Sequence, residues 1–177
     1  MSSINLDELR ALPDYAQMTK WGIKFVTLPA VGALGFPVSD ALDLRCESVE
    51  LPKGSNQKFE VQTRGHKTLH SGIIDYGNTL TLTFNETVDN TIFNFVKAWR
   101  ELCWSARQGK SFSKQDIEAT LLITLYDNQN KPRAKYTVYG CFWEADDFGT
   151  MDGSSSDAQK PSLTLSFDYF VDAPLNA

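Results

Sequence analysis

The chain has 177 residues, of which 42% are hydrophobic and 22% charged, so one globular domain is expected and global disorder is excluded. Its 22 acidic and 17 basic residues give a net charge of −5, which argues against a protein that holds DNA or RNA by neutralising phosphates. The longest apolar runs are far shorter than the roughly 20 residues that cross a bilayer, so we expect no membrane partner.

The first fifty residues predict a short helix followed by two strands. Asn5 and Glu8 have the spacing of a capping pair for a short N-terminal helix. Residues 21–28 (WGIKFVTL) and 44–51 predict strands, each ended by a proline. Residues 30–40 are punctuated by Gly and Pro and are expected to form a loop.

A polar stretch with four glycines occupies residues 53–78. Within it, residues 58–63 (KFEVQT) can extend as a strand with Phe59 and Val61 on one face. We therefore predict a long extended hairpin or loop that protrudes from the domain. Residues 79–84 (TLTLTF) follow directly and alternate without a break, which predicts a strand with one buried face and one face of threonines.

Residues 89–108 predict the one long helix of the chain. A wide apolar stripe recurs there at helical spacing and is formed by Ile92, Phe95, Val96, Trp99, Leu102 and Cys103. Thr87 or Asp89 is placed to cap the N-terminus of this helix, and Gly109 is placed to end it in a left-handed turn.

The C-terminal third predicts three more strands, at residues 117–126, 135–143 and 163–171. In the last of them the alternating residues are Leu163, Leu165, Phe167, Tyr169 and Val171. The middle strand is expected to be covered on both faces, with Tyr136, Val138 and Phe142 on one side and Tyr139, Cys141 and Trp143 on the other. Residues 127–132 have the composition of a turn.

Together these elements predict a single, mainly β domain over residues 1–177. We expect an antiparallel β-barrel or sandwich with one flanking α-helix and a long protruding hairpin, and the sequence does not separate barrel from sandwich. Residues 1–20 and 172–177 are expected to be terminal arms. No repeat or linker divides the chain.

The acidic and histidine residues do not form a recognisable catalytic or metal motif. His66 and His70 on an extended chain would stand roughly 13 Å apart, too far to share an ion, so two solvated loop histidines are expected. Asp146, Asp147 and Asp152 lack the spacing of a calcium loop, and a solvated acidic loop is expected there.

The sequence has neither a phosphate-binding glycine motif nor the GxSxG pattern. Asp75 and Glu86 could be considered as an acid–base pair, but the sequence indicates no apolar pocket around them. We predict neither enzyme activity nor a cofactor.

Aromatic residues and cysteines have structural interpretations. The large aromatic residues Trp99, Trp104, Trp143 and Tyr169 could form a stacking platform for single-stranded nucleic acid. No basic cluster surrounds them, so filling of the core is the simpler interpretation. The three cysteines are odd in number and far apart, which predicts free thiols at Cys46, Cys103 and Cys141.

The succession of elements resembles the tail-tube proteins of contractile-tailed bacteriophages. The resemblance covers about residues 21–171, and its specificity lies in the order of segments rather than in one motif. The matching segments are, in order, GIKFVTLP, ESVELPKG, HKTLHSGIIDYGNTLTLTF, NFVKAWREL, IEATLLITLYDNQNKPRAKYTVYGCFW and SLTLSFDYF.

The resemblance implies a virion structural protein whose hexameric rings stack into the inner tail tube and conduct DNA during ejection. One sheet of each subunit would join its neighbours in a continuous inner barrel, and the hairpin would reach the adjoining ring. The implied partners are further copies of the chain, the tail sheath, the baseplate initiator, the tape measure and the terminator. DNA would pass through the lumen without specific binding, in a tail assembled in the host cytoplasm.

Two groups of site residues follow from the resemblance. The inter-ring stacking residues would lie on the hairpin and are Lys53, Lys58, Arg64, His66, Lys67, His70 and Asp75. The acidic residues facing the lumen, where they would repel phosphates, would be Glu47, Glu50 and Glu60.

Other functions remain open at this stage. The same fold would suit a baseplate tube initiator, a tube terminator ring, or the inner tube of a phage-like secretion or bacteriocin particle. From a different class, a lipocalin-like carrier would also be an antiparallel barrel, with an enclosed apolar cavity for a small ligand. The helix between strands and the filled strand faces argue against that carrier.

Overall fold

The structure is a computed structural model, and it describes residue 10 and residues 15–29, 39–154 and 156–174. The predicted capping pair Asn5–Glu8 and most of the predicted loop at 30–40 lie outside these residues. The strands are β1 Trp21–Thr27, β2 Cys46–Val49, β3 Ser55–Thr63, β4 His66–Asp75, β5 Thr79–Phe84, β6 Ala119–Tyr126, β7 Pro132–Asp147, β8 Ser162–Ser166 and β9 Tyr169–Pro174. The helices are α1 Ser39–Arg45, α2 Thr91–Cys103 and α3 Lys114–Ile117.

Two antiparallel sheets face each other in a sandwich rather than a closed barrel. Sheet 1 has the order β1–β6–β7–β9, and sheet 2 has the order β2–β5–β8–β7. The long strand β7 belongs to both, because residues 132–141 pair with β6 and β9 while residues 142–147 pair with β8. The predicted sandwich architecture with one long helix and a protruding hairpin is therefore confirmed.

A bulge at Gly140 explains how β7 passes from one sheet to the other. Gly140 has φ +68°, and a Cβ there would meet the Asp168 carboxylate at 2.3 Å, so the position requires glycine. The extra residue shifts the alternation, and Val138 and Cys141 are both fully buried. The prediction that these two side chains lie on opposite faces is therefore wrong.

The core lies between the sheets and is filled by aliphatic and aromatic side chains. Leu80, Leu82 and Phe84 of β5 are 0% exposed, which confirms the predicted inward face of that strand. Phe25 of β1 meets the rings of Phe95 and Trp99 edge-on, each at 6.1 Å between centroids. The other strands contribute Ile23, Leu121, Ile123, Val138, Cys141, Leu163 and Leu165. These side chains form one continuous buried cluster between the sheets among the described residues.

Helix α2 closes the sandwich with its predicted stripe, because Ile92, Phe95, Val96 and Trp99 are buried. It is shorter than the predicted 89–108. It ends at Cys103 because Trp104 adopts an extended conformation, and Gly109 belongs to a later turn over residues 105–110.

Two predicted strand starts are wrong because short helices replace them, and a third predicted strand is divided in two. Residue 44 belongs to α1 instead of a strand, and Ile117 ends α3. The predicted strand 163–171 is split at Asp168 into β8 and β9. As a result Phe167 is buried, whereas Tyr169 and Val171 are 45% and 50% exposed.

Candidate assembly surfaces

The hairpin formed by β3, β4 and their turn, residues 55–75, is here called the arm. Every residue of its two strands is exposed, and no other described strand pairs with either one. Five large hydrophobic side chains on it are 41% to 77% exposed, namely Phe59, Val61, Leu69, Ile73 and Ile74. An isolated two-stranded hairpin is marginally stable in water, and exposed apolar surface of this kind marks an interaction site. The arm is thus a candidate interaction surface.

The strand register divides the arm into two faces. Phe59 pairs with His70 and Val61 with Thr68, and the rings of Phe59 and His70 stack at 5.3 Å. This confirms that Phe59 and Val61 share a face. The opposite face carries Lys58, Glu60, Lys67 and Leu69, with an ion pair between Lys67 and Glu60.

The predicted stacking residues are distributed over the whole length of the arm. His66 and His70 lie on the Phe59 face and Lys58 and Lys67 on the opposite one, while Arg64 is in the turn at the tip. The last two predicted residues lie at the base: Asp75 accepts a hydrogen bond from the Gly77 N–H at 2.9 Å, and Lys53 precedes β3 and pairs with Glu50.

A hydrogen-bonded clasp fixes the lower part of the arm. The Asn56 side chain donates to the Ser71 hydroxyl at 2.6 Å and accepts from the Gly72 N–H at 3.2 Å. At Gly72 a Cβ would lie 2.4 Å from the carbonyl oxygen of Gln57, so the two strands approach each other more closely than any other residue would allow. The register shifts by one residue at this point.

Aromatic packing joins the arm to the sandwich. Tyr76 meets Phe170 of β9 edge-on at 5.3 Å, and Pro52 on the other side of the arm is buried. Gly54 faces the same Phe170 ring. The base of the arm is therefore held by these contacts, whereas its strands pair with no other described strand.

The outward face of sheet 2 is covered by hydroxyl groups. It carries Ser48, Thr79, Thr81, Thr83, Ser162, Thr164 and Ser166. The four strand segments of this sheet contain no Lys or Arg, but they contain Glu47, Glu144, Asp146 and Asp147. Sheet 1 differs, because its strands carry Lys24, Arg133 and Lys135 against the single acidic residue Asp172. Negative charge is thus concentrated on sheet 2.

Two of the three predicted lumen acids lie together. Glu47 is on β2 and pairs with Lys160, and Glu50 directly follows the strand and pairs with Lys53. Glu60 lies apart from them on the arm. Glu144 was not among the predicted residues, because the predicted strand ended at residue 143, whereas β7 continues to Asp147. The Glu144 carboxylate accepts a hydrogen bond from the Ser166 hydroxyl at 2.6 Å.

The two sheets differ at their edges. On β1 the Ile23 N–H donates to Asp43 of α1 at 2.6 Å, so α1 covers the outer edge of sheet 1. In sheet 2, β2 pairs only with β5, and residues 142–147 of β7 pair only with β8, as far as the described strands go. Neither edge of sheet 2 therefore has a neighbouring strand among the described residues. A cleft of about 600 Å³ adjoins the β7 edge and is lined by Arg100, Trp104 and Trp143 with residues 105–108.

The acidic residues after Trp143 are not simply a solvated loop, as was expected. The Asp146 side chain is only 7% exposed, binds Arg100 at 3.0 Å and accepts from the Trp143 indole N–H at 2.8 Å. Asp147 and Asp152 do lie in solvent, and each accepts a backbone N–H of its own turn. The Ser154 N–H and hydroxyl lower the pKa of Asp152.

The other candidate residues have structural roles. In the part of the chain that the structure describes, no three His, Cys, Asp or Glu residues are grouped as metal ligands, and no helix has the length and apolar character to cross a bilayer. Trp99 is buried and donates to the Ile117 carbonyl, whereas Trp104 is 56% exposed. Burial raises the pKa of the Cys46 and Cys141 thiols to about 12 and also raises that of Cys103.

Comparison with solved structures places this arrangement among known folds. A chain of the anti-feeding prophage baseplate aligns over 94% of this chain and 99% of its own length, with a TM-score of 0.63 and 14% identity. A chain of the sheath/tube terminator of the extracellular contractile injection system PVC covers 92% and 99%, with a TM-score of 0.66 and 14% identity. A chain of the PVC sheath-tube complex covers 98% and 100%, with a TM-score of 0.65 and 13% identity.

The chain therefore shares its fold with these chains from contractile injection system tube, terminator and baseplate assemblies. No protein-family model matches it, and no curated protein matches it in sequence. The shared fold extends over nearly the whole length of both chains in each of these alignments.

Proposed function

We propose that this chain is the repeating subunit of a contractile tail tube, in which hexameric rings stack around a central channel. The observation that carries the proposal is sheet 2, a four-stranded antiparallel sheet with both edges unpaired in the described structure. The near full-length likeness to chains of tube, terminator and baseplate assemblies supports the same function.

Lateral closure would join β2 of one copy to residues 142–147 of β7 in the next. Because the four strands alternate in direction, the new pair would also be antiparallel. Six copies would give a cylinder of about 24 strands, and at a spacing of ~4.8 Å and a tilt of about 40° its backbone diameter is roughly 48 Å. Closing the ring would remove the exposed edges that otherwise promote uncontrolled pairing.

The outward face of sheet 2 would line the channel. Hydroxyl groups, Glu47, Glu144 and Asp147, without a Lys or Arg on the strands, would repel phosphates and let DNA pass without adhering. The more basic outer face of sheet 1, with Lys24 and Lys135, would then point away from the channel, where the sheath encloses the tube.

The arm would connect one ring to the next. It joins β2 to β5, so it continues from one end of the sheet that forms the wall. Its ten-residue strand β4 spans about 33 Å, compared with about 20 Å for the six residues of β5. A hairpin longer than the wall strands is long enough to pass beyond its own ring.

The same fold would serve a tube initiator or a terminator ring, and the compared structures include chains from baseplate and terminator assemblies. A tube in a phage-like secretion or bacteriocin particle is a further alternative. Copy number in a purified particle separates these roles, since hundreds of copies indicate the tube and six copies an initiator or cap.

Electron microscopy of the purified full-length chain tests the proposed function. We expect a soluble, largely monomeric subunit that forms sixfold rings and tubes when an initiator ring is supplied or the concentration is raised. A variant lacking residues 55–72 should keep the circular dichroism spectrum of the sandwich and form rings without tubes.

Two results would contradict the proposal. Tubes formed by the shortened variant would exclude stacking through the arm. A full-length chain that stays monomeric at every concentration, with or without a seed, would exclude the tube function itself.

A further inference from the structure

The arm and the opposite end of sheet 2 have complementary surfaces, and this bears on how rings would contact each other. We infer that the arm of one copy docks on the rim of a second copy, where the rim is formed by the connections at residues 85–90 and 147–161. The inference rests on the proposed tube function and specifies the receiving surface.

Strand directions place the rim opposite the arm. The arm leaves sheet 2 between the end of β2 and the start of β5, whereas residues 85–90 follow the end of β5 and residues 148–161 join β7 to β8. Backbone bonds hold the rim together, because Glu86 N–H donates to the Gln159 carbonyl and Phe84 N–H to that of Pro161. An arm and a rim at opposite ends form a head-to-tail contact, which repeats without limit along an axis.

Both surfaces expose apolar side chains that the subunit itself does not cover. On the rim, Val88 is 101% exposed and Met151 is 75% exposed. On the arm beyond the clasp, Leu69 is 57% exposed and Phe59 is 54% exposed. Contact between the two would bury apolar area on both sides, which favours association.

Charge is opposite on the two surfaces. Residues 61–70 of the arm contain Arg64, Lys67 and two histidines but no carboxylate. On the rim, Asp147 and Asp152 are exposed, and no cation among the described residues pairs with either. Asp89 is 61% exposed, although Arg45 lies 3.7 Å from it. Such complementarity steers association and fixes orientation.

The local ion pairs of both surfaces do not prevent this contact. Lys67 pairs with Glu60 within the arm, and both side chains are about half exposed, so water screens their attraction and the exchange of partners costs little. On the rim side, Lys160 pairs with Glu47 rather than with Asp147 or Asp152. The carboxylates of Asp147 and Asp152 can therefore form ion pairs with the arm of another copy.

Zero-length carbodiimide cross-linking tests the contact directly. A mixture of unlabelled and ¹⁵N-labelled full-length chain identifies intermolecular links by their mixed isotopic mass. We expect links from Lys58 or Lys67 of one copy to Asp147, Asp152 or Asp89 of another. Their yield should fall several-fold between about 50 mM and about 500 mM salt, because the attraction is screened.

A charge reversal at the tip provides a matched pair of variants. Arg64 has φ 51° and precedes Gly65 at φ 83°, so Arg64→Asp creates an Asp-Gly turn that suits this geometry and preserves the hairpin. Lys24→Asp makes the same change in net charge on sheet 1. We expect Arg64→Asp to lower the yield of arm–rim links several-fold and Lys24→Asp to leave it unchanged.

Three results would overturn the inference: no intermolecular link, links from the arm lysines to carboxylates outside the rim, or equal effects of the two variants. In the proposed assembly, rings close through the edges of sheet 2 and not through the arm. Rings in electron micrographs together with any of these results would therefore leave the proposed function standing and remove only the arm–rim contact.

Discussion

Glu86 shows how one side chain fixes the start of a helix. Its carboxylate accepts hydrogen bonds from the Ile92 N–H at 3.1 Å and the Phe93 N–H at 2.7 Å, two donors of the first turn of α2 that have no partner within the helix. The sequence predicted Thr87 or Asp89 for this role. Asn90 is left-handed, with φ 53°, and the resulting bend brings Glu86 beneath the helix. Sequence spacing does not reveal such a bend.

Replacing Glu86 by Ala should destabilise the domain by about 1–2 kcal/mol, because two backbone donors lose their acceptor. Thermal or urea unfolding followed by circular dichroism measures this loss. Glu101→Ala, on the exposed side of the same helix, is the control and should change stability by less than about 0.5 kcal/mol. Equal effects of the two changes would show that Glu86 does not cap the helix.

Asp89 has a different local role from the predicted one. It accepts hydrogen bonds from the hydroxyl groups of Thr87 and Thr91, and these bonds lower its pKa. Asp89 thus orders the turn before the helix and keeps its negative charge on the rim well into acid solution.

The sequence predicts best those elements that keep one buried face along their whole length, because their hydrophobic residues then recur at a regular spacing. β5 alternates without a break and has the predicted bounds, and the buried stripe of α2 was found because helical spacing is regular. β7 was predicted too short, since a bulge and a change of sheet interrupt its alternation. α1 was missed because its seven residues give only a short periodic signal.

The candidate surfaces were predictable to different degrees. The arm was apparent as a polar glycine-rich stretch, and all seven predicted stacking residues lie on it or at its base. The sheet 2 face was not predictable in full, because Glu144 and Asp147 join it only through the fold of β7. Glu60 was assigned to the lumen from its place on the hairpin strands, and the structure places it on the arm, apart from Glu47 and Glu50.

The arm as an element depends on its clasp. Gly72→Ala would place a Cβ 2.4 Å from the Gln57 carbonyl and force the two strands apart, while the sandwich has no part in that contact. We expect faster amide hydrogen exchange throughout β3 and β4 and an unchanged rate in β5 and β6.

Gly153→Ala is the control for this change, since a Cβ at Gly153 meets nothing within 4 Å. It should leave exchange in the arm unchanged. Normal protection of β3 and β4 in Gly72→Ala would mean that the close approach of the strands is not needed for the arm to form.

At the scale of the whole molecule, the open edge of β2 determines whether copies associate side by side. The Glu50 N–H bonds the Thr81 carbonyl of β5, so by alternation the Val49 N–H points to the free edge. Val49→Pro removes that donor and leaves the β2–β5 pairing intact. We expect a folded monomer with few or no rings, measured by light scattering after size exclusion and by electron microscopy.

Val49→Ala separates the lost hydrogen bond from the lost side chain. It removes similar packing but retains the N–H, so rings should persist. Closed rings formed equally well by the proline variant would exclude β2 as the lateral edge.

The alternating direction of the four strands in sheet 2 has a consequence for the size of the assembly. Every added copy meets the previous one in the same antiparallel sense, so main-chain pairing is satisfied equally for five, six or seven members. The number of copies in the ring must then depend on features that set the curvature of the sheet. These features are the twist of the strands and the size of the side chains on its convex side. Substitutions that alter this bulk are therefore the ones that would change how many copies close a circle.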